Sequence, residues 1–426
     1  MSIFKLSFQR GQRFIVLSAI ICSFLYPITA NSSDETPSPF RFSSYGTFGY
    51  SHHNEDDLSL IRDFTQSFDQ PESGNWKPDT VIGLQASYDI NPKLETVFQV
   101  VVQDHASNSF SSYMEWAFIS YRPIPEFNLR LGRVGTDFFM LSDSRNVGYS
   151  QTTLRPNREF YAYISLFSLD GMDALYTINT TNGHWLIKAQ WGRSKAELPL
   201  NGGIFELATD NMWDLSLERQ YGDLRLRAGL VDVTLENDFP GDLSALQEIG
   251  ALGLPGISPE ANYLLEEFTL EGQRIKYRFI GFHYDANAWI ALGEFSQVSS
   301  SSDAIIQGNA YYLTLGHRWA NLTPYIGASR FKPEQEYFRA QTDWSTIGAD
   351  AQSLQSAAFR LLNAARADQD SKMVGIRWDF QEGFAVKLQW DHIEISPYGY
   401  ALWDIYGPRD TARSVDLIST SLDWVF

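Results

Sequence analysis

Val386-Lys387-Leu388-Gln389-Trp390-Asp391 alternates apolar and polar side chains without a break. Side chains of a β-strand point to opposite faces with period two, so this segment forms a strand with one apolar and one wet face. Trp213-Asp214-Leu215-Ser216-Leu217-Glu218, Leu224-Arg225-Leu226-Arg227-Ala228 and Ile275-Lys276-Tyr277-Arg278-Phe279 repeat the pattern. A soluble sheet can alternate too. It does not usually alternate this often with Trp, Tyr and Phe so common on the apolar face.

The pattern predicts sixteen strands, near 42–50, 79–89, 93–104, 113–122, 126–134, 171–179, 183–193, 211–220, 223–234, 271–284, 287–298, 308–319, 321–330, 370–380, 384–394 and 414–426. Their connections alternate short and long. Ile90-Asn91-Pro92, Pro123-Ile124-Pro125, Thr180-Thr181-Asn182, Tyr221-Gly222, Ala286, Ala320 and Gln381-Glu382-Gly383 mark the short ones. Residues 51–78, 135–170, 194–210, 235–270, 331–369 and 395–413 are long ones. Membrane barrels have tight periplasmic turns, longer external loops and an even strand count. Helical spacing occurs in two of the long loops, at Leu354 to Ala367 and, weakly, at Leu243 to Leu252.

The N-terminus sets the compartment. Lys5, Arg10 and Arg13 precede a mostly apolar run from Phe14 to Pro27, and Ile28-Thr29-Ala30 offers a cleavage site. That order predicts a cleaved signal peptide over 1–30 and a single domain over 31–426. The one cysteine, Cys22, lies in the segment removed, so the mature chain would have neither disulfides nor thiolate metal sites. Beyond it no apolar run reaches 18 residues, which excludes spanning helices. A closed β-barrel is the other structure that satisfies its backbone in lipid. The expected fold is therefore an all-β transmembrane antiparallel barrel in the Gram-negative outer membrane.

Removing the leader leaves 30 basic against 51 acidic residues, a balance of −21 that argues against nucleic acid as a partner. Strong acidity accompanies disorder in chains poor in aromatics, whereas 15% of this chain is aromatic.

The chain ends Ser421-Leu422-Asp423-Trp424-Val425-Phe426, with Leu422, Trp424 and Phe426 on one face. This resembles the signal that outer-membrane barrels present to the barrel-assembly machinery. The whole mature chain resembles, in architecture, a general diffusion porin. Leu129-Arg130-Leu131-Gly132-Arg133 is similar to the Gly-Arg close of the fifth strand in that family, although the family's acidic Pro-Glu-Phe-Gly motif has no close copy in the loop that follows. The resemblance implies a homotrimer of sixteen-stranded barrels, each with its long third external loop folded into the lumen.

A barrel of sixteen strands is wide enough for an aqueous channel, and residues 135–170 are the segment suited to narrow it. The expected constriction comprises Arg130, Arg133, Asp137, Asp143, Arg145, Arg155, Arg158 and Glu159, with loop aromatics packed against the wall. The expected lumen wall carries Arg225, Arg227, Lys276, Arg278, Arg377 and Lys387. Counting every strand position assigned to the lumen gives ten bases against six acids, beneath an acidic external vestibule. Such a pore passes small hydrophilic solutes and ions. The alternative is a substrate-selective channel for phosphate or small organic anions.

No catalytic motif, metal cluster or cofactor-binding loop stands out. His52-His53 beside Glu55, Asp56 and Asp57 reads as a solvated acidic loop rather than a metal site. Gly-x-Ser-x-Gly, phosphate-binding Gly-rich loops and His-Glu-x-x-His are absent. The expectation is a channel and not an enzyme, with neither cofactor nor metal.

Overall fold

The computed structural model describes residues 38–68, 72–200, 203–239 and 241–426. The expected signal peptide lies outside the described residues. Sixteen long antiparallel strands form one closed barrel. They are β1 (Phe40–His53), β2 (Val81–Asn91), β3 (Leu94–Gln103), β4 (Met114–Ile124), β5 (Phe127–Gly135), β6 (Ser168–Thr180), β7 (Gly183–Arg193) and β8 (Gly203–Tyr221), followed by β9 (Leu224–Leu235), β10 (Arg274–Ala286), β11 (Trp289–Ser300), β12 (Gly308–His317), β13 (Leu322–Pro333), β14 (Ala367–Gln381), β15 (Phe384–Tyr400) and β16 (Arg413–Val425). Each pairs with its neighbour in sequence, and β16 pairs back onto β1 in the register Tyr45↔Val425 to His53↔Leu417. The last residue completes the seam: Ser44 N–H donates to the Phe426 carbonyl at 3.0 Å and Phe426 N–H to the Ser44 carbonyl at 2.8 Å.

Burial along the strands is inverted relative to a soluble protein. In β15 the polar Lys387, Gln389 and Asp391 are buried, while Leu388 and Trp390 are 52% and 42% exposed. The apolar face therefore points outward, toward lipid, where burying it needs no protein partner. Exposed aromatics stand near both ends of this band: Tyr88, Tyr121, Tyr221, Trp289 and Trp378 toward the short turns, and Trp191, Trp213, Tyr311 and Trp390 toward the long loops. Rings with an apolar body and a polar tip suit a membrane–water interface. No helix among the described residues is long and apolar enough to cross a membrane.

The short turns have the chemistry tight hairpins demand. Gly222 (φ 56°) and Gly383 (φ 77°) take the left-handed conformation that ordinary residues avoid. The long connections carry structure of their own. Lys195–Leu200 pairs with the start of β8, so that strand begins at Gly203 and runs as a hairpin past the expected residue 211. Helices α1 (Ser244–Ala251) and α2 (Ile257–Phe268) lie between β9 and β10, and α3 (Ala349–Leu362) lies between β13 and β14. They share a small core of Leu246, Ile257, Leu264, Phe268, Trp344, Phe359 and Leu362. The Glu260 carboxylate ties the two loops together, accepting from Gln341 N–H and Thr342 N–H at 2.9 Å each.

Candidate functional site

The third long connection, residues 136–167, is bound along its length to the inward side chains of the barrel. At its start the Asp137 carboxylate pairs with Lys188 of β7 at 3.0 Å and with Arg227 of β9. Burial would raise the Asp137 carboxyl, but the two cations hold it below the ordinary carboxylate range. Next comes a dry aromatic cluster. Phe139 packs edge-on to Phe160 at 4.6 Å, Phe160 on Tyr312 of β12 at 5.2 Å, and Phe139 on Phe279 of β10 at 5.6 Å. Glu294 of β11 serves this cluster, accepting from Met140 N–H at 2.9 Å, Tyr312 O–H at 2.6 Å and Tyr161 O–H.

The middle of the segment reaches β14 to β16. Lys387 Nζ donates to the Gly148 carbonyl at 2.7 Å and the Thr153 carbonyl at 2.9 Å, and pairs with Asp423 at 3.2 Å. Arg377 donates to the carbonyls of Tyr149 and Gln151 at 2.6 and 2.8 Å. Gly148 is required here, because a Cβ would overlap Thr47 Oγ1 and Asp423. Arg155 then grips Asp79 at 2.6 Å and donates to Ser51 and Ser419 at 2.8 and 2.7 Å. Glu159 accepts from Ser329 at 2.8 Å, from Gln369 at 2.5 Å and from Ser371.

Among the described residues Arg158 pairs with no carboxylate. It donates to the carbonyls of Ile61 (3.0 Å) and Leu402 and lies 4.3 Å over the Trp403 ring. Burial pushes its guanidinium down to about 10.

Several sequence expectations therefore change role. Arg155, Arg158, Glu159 and Asp137 are buried struts of the segment and do not face open water. Arg145 is a strut as well, paired with Glu115 and stacked 3.8 Å over Phe167. Asp143 is exposed and within electrostatic reach of Arg130, Lys188 and Arg227. On the wall, Arg130 is bonded to Asp173 at 2.7 Å but stays part-exposed, as do Glu218 and Arg225.

Lys276 and Arg278 are corrected outright. Ile275, Tyr277 and Phe279 face inward, so the two cations stand exposed on the outer face, on the same side of β10 as Ile280. The reason lies in packing: this stretch of wall backs the aromatic cluster of the loop, so its apolar face turns in. Arg133 is also outward, at the rim beside Asp170 (2.7 Å), because β5 turns Leu131 and Arg133 to the same side. Of the remaining wall positions, Arg227 is buried under the segment, and Arg377 and Lys387 are taken up by its carbonyls.

With that geometry in view, the likeness to solved structures is informative. An anion-selective porin from Comamonas acidovorans superposes with a TM-score of 0.52 at 10% identity, over 91% of this chain and 99% of that one. OprB of Pseudomonas putida gives 0.50 at 10% identity, over 91% and 94%. The fold is that of the sixteen-stranded outer-membrane porins. No protein-family model and no curated protein sequence matches the chain.

Within this porin fold the anchors Asp79, Glu294 and Asp423 were not among the expected site residues. A signal existed for Asp423, which shares period-two phase with Ser419 and Ser421. Glu294 was masked because its inward neighbours, Ile290 and Leu292, are apolar. The expected solvated acidic loop is also tied down: Arg413 holds Asp57 and Glu55, the latter at 3.1 Å, and His53 is buried edge-on to Trp403 at 5.8 Å.

Where the long loops meet, they line a partly open cavity of about 250 Å³, and none of its described lining residues is charged.

Proposed function

We propose that the protein is an outer-membrane porin, a water-filled channel for passive diffusion of small hydrophilic solutes and ions. The observation that carries this reading is a closed barrel with an apolar exterior, a polar interior and a segment, 136–167, bonded to inward side chains from β7 round to β16. A loop so held narrows the lumen. The remaining passage runs between Asp143 of the loop and Arg130, Glu218 and Arg225 of the wall. Opposed charges across a narrow pore set up a transverse field that favours polar solutes and sorts ions.

The phosphate or organic-anion alternative needs free lumen cations. Lys276 and Arg278 face outward and Arg377 and Lys387 are consumed by loop carbonyls, so passive diffusion is preferred. The reading assigns no catalysis, metal or cofactor to the chain. It includes assembly as a homotrimer, on the strength of the family resemblance, and recognition of Leu422, Trp424 and Phe426 by the barrel-assembly machinery. Planar-bilayer recordings of the refolded protein test it: ohmic steps of uniform size are expected, and a silent bilayer containing folded protein refutes it.

A further inference from the structure

The cavity among the long loops differs from the rest of the interior. Its walls come from the first and the third to eighth long connections and from the loop-side ends of β8, β9 and β10, and include Phe64, Phe205, Phe239, Ile275, Tyr277 and Ala365. Among its described lining residues the polar side chains are Ser165, Tyr163 and Tyr277, and the Tyr163 hydroxyl is already engaged with Ser296 at 2.8 Å. Polar side chains are few against this largely apolar lining, and apolar cavities of ~150 Å³ take up benzene. A volume of about 250 Å³ accommodates a ring with a short chain.

We infer that this cavity is a binding site for small amphipathic solutes, an aryl or branched alkyl group with a polar end. It lies on the outer side of the loop segment that narrows the barrel. A channel for hydrophilic solutes alone gains nothing from it, whereas capture of the apolar end at the mouth raises the local concentration of such a solute before it enters the polar passage. The ring sits among Phe205, Phe239, Ile275 and Tyr277, and the polar end turns toward Ser165. The inference rests on the channel reading for its purpose, but binding is measurable without conduction.

The test uses the full-length barrel in nanodiscs and saturation-transfer NMR with 3-phenylpropionate, against glucuronate as a polar acid of equal charge and similar size. Empty nanodiscs supply the background for partition into lipid. Saturable binding of 3-phenylpropionate and none of glucuronate is expected. Ala365→Phe fills the cavity and Phe205→Ser wets it, and each should weaken binding at least tenfold. Heat-modifiable migration on a gel confirms that each variant is a folded barrel, and either one folding suffices. Equal binding of the two acids, no binding of either, or 3-phenylpropionate binding unchanged in a folded variant overturns the inference. Bilayer conductance is read separately, so a conducting barrel that binds neither acid refutes this site and leaves the channel reading standing.

Discussion

Arg155 and Asp79 form a buried ion pair at 2.6 Å, joining the third long connection to the residues just before β2. Both side chains are at least 96% buried. Arg155 also reaches Ser51 of β1 and Ser419 of β16, so one guanidinium fastens the loop across the barrel seam.

Arg155→Ala leaves the Asp79 carboxylate buried without its cation. Breaking such a pair costs about 3–5 kcal/mol, more than the net worth of the intact pair, because the orphaned charge is uncompensated. The loop should release on this side, with larger and noisier single-channel steps. Arg155→Met with Asp79→Leu should be milder than Arg155→Ala alone. Conductance histograms of the two variants check this, and a single-variant conductance equal to wild type excludes a latch.

The same pair sets a pH dependence. Burial alone would raise the Asp79 carboxyl, but Arg155 beside it, aided by Ser51, holds it below the ordinary carboxylate range. A depressed folded value means stability that is fully present above the unfolded value, about 3.9, and lost as pH falls through the lower folded one. Wild type should therefore exceed Asp79→Asn in thermal stability by a constant margin from neutrality to about pH 4. The margin should shrink at more acid pH. Melting curves across that range decide, and a margin that vanishes at pH 6 contradicts the pairing.

What the sequence makes legible here is period, and what it hides is phase. Alternation over sixteen segments marks every barrel strand, because lipid outside and water or polar side chains inside demand it at each one. In Leu224-Arg225-Leu226-Arg227 polar means inward, whereas in Ile275-Lys276-Tyr277-Arg278-Phe279 it means outward. Nothing within the second stretch distinguishes the two. Its phase is fixed by Phe138 and Phe139, more than a hundred residues away, which stack on Tyr277 and Phe279. The loop charges were visible as charges, but whether Arg155 meets solvent or Asp79 depends on closure of the barrel. Helix α2 is a different case, since Ile257, Ala261, Leu264 and Phe268 form a helical stripe in the sequence that a period-two pattern does not register.

Phase has a consequence for ion selectivity. Neutralising Lys276 and Arg278 together should leave the reversal potential in a salt gradient unchanged. These side chains stand outside the wall, and the screening length is only ~8–10 Å at ordinary salt. Asp143→Asn should shift the potential toward anion preference and Arg225→Gln toward cation preference, because both groups border the proposed passage. Neutralising Arg145, Arg155 and Arg158 instead would unfasten the loop and confound selectivity with width. A shift from the Lys276/Arg278 pair equal to that from Arg225 would place β10 in the opposite phase.

The barrel seam gives the sharpest steric prediction. Gly46 of β1 faces Trp424 of β16, and a Cβ at position 46 would overlap the indole ring. Strand propensity favours valine over glycine, so Gly46→Val would be stabilising if only local preference mattered. The packing argues the opposite: the ring must move off the seam, and overpacking of this kind costs about 1–3 kcal/mol. Gly46→Val should therefore lower the temperature at which the folded, fast-migrating barrel converts to the unfolded form on a gel. Trp424→Ala alone removes a half-buried ring and should also destabilise. The double variant should be more stable than the two single losses add up to, since the valine then occupies space the indole vacated. Strict additivity in that cycle would mean the two residues do not meet at the seam.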